Sequence, residues 1–130
     1  MHPKIIAIVQ EEFYISKHYS FDGYIISLDD WTCFSIGISN FQQCCESWGY
    51  ASSNDDLQSF IGSELFSVDV VDDKLHTSPD IEMYEGGVTY VNLNTSTGVL
   101  QFTLYNEHNG YYSHEVVVKK NSEILHSEDV

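Results

Sequence analysis

The sequence predicts an α+β domain: an antiparallel β-sheet meander with two short helices packed on one face. Three observations predict it. Apolar and polar residues alternate with period two in several short runs, the pattern of half-buried strands. Two clusters of capping residues precede short apolar stretches near the middle of the chain. Asn109-Gly110 sits between two alternating runs, the strongest short hairpin signal. With 130 residues the chain makes one domain, 1–130, large enough to hold a core without staples.

The elements follow in order. Pro3 to Val9 reads as a strand ending at Glu11-Glu12, and Ser16–Asp22 as a turn. Tyr24–Leu28 and Trp31–Ile38 form a hairpin about Asp29-Asp30. Asn40 can cap a helix over Phe41–Trp48, which Gly49 ends. Ser53-Asn54-Asp55-Asp56 caps a second helix through Leu57, Phe60 and Ile61, with Gly62 at its end and carboxylates suited to its first turn. Leu65–Val71 alternates as a strand. Asp72–Gly87 is a polar, mobile loop, with a bridge of strand around Ile81–Tyr84. Val88–Leu93 is a strand, and Asn94–Gly98 turns the chain into the hairpin of Val99–Val118. That hairpin is expected at the middle of the sheet, and the tail Asn121–Val130 is expected to fray.

Charge narrows the function. Twenty Asp and Glu stand against five Lys and no Arg, a formal net charge of −15. Nucleic-acid binders neutralise phosphates with Lys and Arg, and this chain has few to offer. Anionic membranes would repel it, and no apolar run approaches the length of a span. The expected partner is a basic protein surface, with no direct nucleic acid and no membrane. No secretory leader is visible, and three Cys, two of them adjacent, suit a reducing cytoplasm.

Few residues suggest chemistry. Cys44 and Cys45, with His108 and His114, carry the types that hold zinc in tetrahedral sets. Adjacent Cys point about 100° apart on a helix, so packing is the plainer role for at least one of them. Tyr111 and Tyr112 could anchor an interface or simply pack across the hairpin. No nucleophile elbow, phosphate loop or zinc-protease motif occurs, so no catalytic residue is assigned.

Cys44-Cys45-Glu46, then Asp56-Leu57 to Ile61-Gly62 leading into Leu65–Val71, then Phe102–Val118 with NGYYSHEVVV, resemble a family of small phage and bacterial domains of unknown function. Some small acidic phage proteins that look similar act as anti-CRISPR inhibitors of type II-A Cas9. The resemblance implies a phage-encoded, non-enzymatic inhibitor in the cytoplasm of a bacterial host cell. It would bind Cas9 and obstruct guide or target DNA. The expected contact residues are Asp69, Asp72, Asp73, Asp80, Glu82 and Glu85, around the longest loop. The alternative is a structural zinc-binding module with an unknown partner.

Overall fold

The computed structural model describes residues 2–81, 86–107 and 112–130. The strands are β1 (Ile5–Ser16), β2 (Tyr19–Leu28), β3 (Cys33–Ser39), β4 (Ser47–Ser52), β5 (Leu65–Val71), β6 (Gly86–Thr95), β7 (Val99–Glu107), β8 (Glu115–Lys120) and β9 (Glu123–Asp129). They form two antiparallel sheets, ordered β1-β2-β3-β8-β9 and β4-β7-β6-β5. Their inner faces share one core, with Ile26, Ile36, Ile38, Val116 and Val118 from the first sheet. Val91, Leu93, Leu100, Phe102 and Leu104 come from the second. The protein is therefore an all-β sandwich, and the expected α+β meander with two helices is corrected.

Both expected helices fail for local reasons. Asn40 does not cap a helix, because tertiary partners occupy its side chain. Its amide donates to Glu12 Oε2 at 2.6 Å and Asp22 Oδ1 at 2.9 Å, and its Oδ1 accepts from Ser20 Oγ at 2.7 Å. Downstream, Trp48 and Tyr50 alternate with Gly49 and Ala51, a strand period. That strand, β4, pairs with β7, placing Trp48 opposite Asn106 and Tyr50 opposite Leu104. The second helix is a single 3-10 turn over Leu57–Phe60, which buries Phe60. Gly62 follows it with φ +90°, a conformation that costs other residues a clash at Cβ.

The expected hairpin of Val99–Val118 is also overturned. β7 lies between β4 and β6, whereas β8 lies between β3 and β9 in the other sheet. Each is an interior strand whose two edges are already paired, so neither is free for the other. The chain passes between sheets here, and Asn109-Gly110 falls outside the described residues. The tail does not fray. Asn121 turns the chain with φ +53°, and β9 pairs along β8.

The β2–β3 hairpin matches expectation. Its turn is held by Asp29 Oδ1, which accepts from the Lys4 N–H, and Asp30 Oδ1, which accepts from the Thr32 N–H, both at 3.0 Å. Trp31 stands at its tip, 95% exposed and at φ +69°. On the outer face of the first sheet, Phe13, Phe21 and Val117 make a second small cluster. Gly37 permits it, because a Cβ there would lie 2.7 Å from the Phe13 ring.

Candidate functional site

At one end of the sandwich the apolar core gives way to a buried polar cluster. His114, immediately before β8, is 1% exposed. Its Nε2 lies 2.9 Å from Glu46 Oε2, and its Nδ1 lies 2.6 Å from the Ser39 carbonyl oxygen. Both ring nitrogens therefore face acceptor oxygens, a backbone carbonyl on one side and a carboxylate on the other. Trp48 stacks on the ring, with centroids 5.2 Å apart. Asn106 closes the cluster by donating to the Tyr112 and Val130 carbonyls at 2.9 and 3.0 Å.

Glu46 organises the loop between β3 and β4. Its carboxylate accepts from the backbone N–H of Gln43 at 3.0 Å and of Cys44 at 2.8 Å, besides the His114 ring. Gln42 donates to the same carboxylate at 3.1 Å and to the Glu46 carbonyl at 2.8 Å. The largest influence on its ionisation is burial, which opposes the charge. The Gln43 N–H, the His114 ring and the Cys44 N–H together outweigh it and hold the carboxyl down to about 2. A charged carboxylate therefore does the work that an N-cap would have done, in a loop.

Next to this cluster opens a cleft of about 460 Å³. It is lined by the start of β2, the end of β3, the 40–43 loop, Ser113, Glu115 and Asp129. Tyr19 and Phe41 bring aromatic surface to it, and Phe41 is 74% exposed. The Tyr19 hydroxyl donates to Glu115 Oε1 at 2.9 Å. Burial, then that bond to a carboxylate, pushes its hydroxyl up to about 12. None of the described residues lining the cleft is a lysine. Carboxylates beside aromatic faces attract a cation, by charge and by the ring quadrupole.

Ser39, His114 and Glu46 include the residue types of a hydrolytic triad, but not its geometry. The Ser39 hydroxyl lies 3.3 Å from Nδ1, while the Ser39 carbonyl holds that same nitrogen at 2.6 Å. The hydroxyl also accepts the Glu115 N–H at 3.1 Å. A ring nitrogen that donates to the Ser39 carbonyl has no lone pair with which to take the Ser39 hydroxyl proton.

Of the expected metal set, the described members Cys44, Cys45 and His114 are not brought together. Cys44 and Cys45 are exposed, His108 falls outside the described residues, and both nitrogens of His114 are engaged. Among the described residues no three His, Cys, Asp or Glu side chains converge on a common point. His114 would have to leave Glu46 or Ser39 to ligate zinc, so the described residues as placed do not fit the ion.

The described part of the expected contact loop, 72–81, is tied to β7. Gln101, fully buried on β7, accepts from the Leu75 N–H at 3.0 Å and the Ser78 hydroxyl at 2.5 Å. It donates to the Asp73 carbonyl at 3.0 Å. Asp80 pairs with Lys74, and Asp69 accepts from Asn94 at 2.7 Å and Ser67 at 2.9 Å. Asp72 and Asp73 are exposed, and Glu82 and Glu85 fall outside the described residues. Glu115, Asp129, Tyr19 and Phe41 were not singled out from the sequence, because no local pattern shows that they converge.

The family described as a domain of unknown function, DUF7448, matches residues 4–118. The chain belongs to that family. The matched span runs from the start of β1 through most of β8, so it takes in strands of both sheets and the buried Glu46–His114 pair of this chain. No curated protein and no solved structure matches the chain. Among the described residues of this DUF7448 protein, no helix is long and apolar enough to cross a membrane.

Proposed function

We propose that this DUF7448 protein is a non-enzymatic binding domain that holds a cationic segment of a partner protein in the cleft. One observation carries the proposal: carboxylates of Glu115 and Asp129 meet Tyr19 and Phe41 around one concavity. A lysine or arginine side chain suits that lining, its charge on the carboxylates and its stem on the rings. The net charge of −15 supports the same choice, since it steers basic surfaces toward the protein.

In its narrower form the proposal makes the partner Cas9, whose basic nucleic-acid surface an acidic inhibitor would cover. Support for that form comes from charge and from the resemblance to small acidic phage proteins. Pull-down of Cas9 at low and high salt tests it. Capture that weakens with salt, and weakens further in Glu115→Gln/Asp129→Asn, supports the narrower form. No capture at low salt removes Cas9 as the partner. Capture untouched by the double variant, yet weakened by Asp72→Asn/Asp73→Asn, moves the contact to the loop after β5.

A further inference from the structure

Cys44 and Cys45 stand at the outer turn of the loop that Glu46 organises. Both are exposed, and their sulfurs are 3.0 Å apart, with the Cys44 thiol donating to Cys45 Sγ. We propose that they form a redox-active vicinal dithiol, oxidised by a low-molecular-weight disulfide to a Cys44–Cys45 disulfide that loosens the Glu46 loop. The inference does not depend on what the cleft binds.

The arrangement suits exchange rather than permanent cross-linking. Adjacent Cα atoms are about 3.8 Å apart. Disulfides usually join Cα atoms about 4.4–6.8 Å apart, so a ring through one peptide is strained and easily reduced again. Strained, exposed disulfides are the labile and regulatory class. Cys45 accepts the hydrogen bond from its neighbour, so its sulfur is the one prepared to attack. Its thiolate attacks one sulfur of the oxidant, expels a thiolate and forms a mixed disulfide. The Cys44 thiolate then attacks Cys45 Sγ and expels the second thiolate. The protein loses two protons and two electrons, and the oxidant becomes two thiols.

The consequence follows from the Cys44 N–H, which donates to Glu46 Oε1 at 2.8 Å. Closing the ring turns the backbone about the Cys44 Cα, and the Cys44 N–H, carried by the preceding Gln43–Cys44 peptide, is drawn from the carboxylate with it. Glu46 also holds His114, so the strain passes inward to a buried ring. It passes outward to Gln42 and Gln43, which line the cleft.

The test uses the full chain with Cys33→Ser, so that only the pair remains to react. Oxidised glutathione should remove both thiols and lower the intact mass by two hydrogens. Cys44→Ser/Cys33→Ser should instead retain a glutathione adduct on Cys45. The His114 ring signals should move in the NMR spectrum on oxidation and return with a reducing thiol. Stable mixed disulfides or linked dimers from the Cys33→Ser protein would overturn the dithiol. Oxidation that leaves the His114 signals in place would overturn the coupling to the loop.

Discussion

Two acidic regions of this molecule differ in what their carboxylates do. Around the 72–81 loop they sit on a surface that the fold uses for itself. Asp80 pairs with Lys74, Asp69 is held by Asn94 and Ser67, and Gln101 pins the backbone between them. Around the cleft, Glu115 and Asp129 face a cavity with aromatic walls. Charge density along the sequence is higher in the first region, yet concavity belongs to the second. A run of acids therefore locates a solvated surface, and tertiary convergence locates a site.

The comparison breaks most visibly at the pair behind the cleft. Glu46→Ala leaves the buried His114 ring nitrogen and two backbone N–H groups without their carboxylate partner. Denaturant unfolding should show a loss of about 3–5 kcal/mol. A loss below about 1 kcal/mol would mean that the pair does not hold this end. The acid limb of stability reads the same group. The folded Glu46 carboxyl sits near 2, below its ordinary 4.5, so its contribution is present above about 4.5 and fades as pH falls toward 2. Glu46→Gln should flatten that part of the pH–stability curve, and a curve parallel to wild type would contradict the assignment.

The next effect lies under the other region. Gln101→Ala removes the anchor of the 72–81 loop and orphans the Leu75 N–H, for about 1–3 kcal/mol. Limited proteolysis should then cut within 72–81 while the sheets persist. Resistance equal to wild type would show that other contacts hold the loop. A smaller effect separates the regions as binding surfaces. Glu115→Gln/Asp129→Asn should weaken binding of a lysine- and arginine-rich peptide about tenfold, about 1.4 kcal/mol. Asp72→Asn/Asp73→Asn should leave it within about twofold once overall charge is matched by salt. The reverse order would move the site. The smallest change is at the far hairpin, where Trp31→Gly should alter stability by less than about 1 kcal/mol, because Trp31 packs on little and glycine accepts its φ.

Much of the strand content was legible locally. Leu65–Val71 alternates cleanly, and its bounds are those of β5. The β2–β3 hairpin is legible because Asp30 bonds the Thr32 N–H within its own turn. The failures share a cause. Asn40 looked like a helix cap, but strands from elsewhere in the chain took its amide. The flanks of Asn109-Gly110 looked like partners, but β6 and β3 pair with β7 and β8 instead. Period two states that a segment is a strand and is silent on which sheet receives it. The sequence shows that His114 is a ligand type, and it does not show that Glu46 and Ser39 are its partners. The cleft was least legible, since Tyr19 and Glu115 meet across 96 residues of chain.

The most direct measurement is an NMR titration of the full-length protein with a short peptide rich in lysine and arginine. The cleft account predicts shifts concentrated at Tyr19, Asn40, Phe41, Ser113, Glu115 and Asp129, saturating and reversed by salt. Shifts centred on residues 69–80, or spread evenly over both sheets, would contradict it.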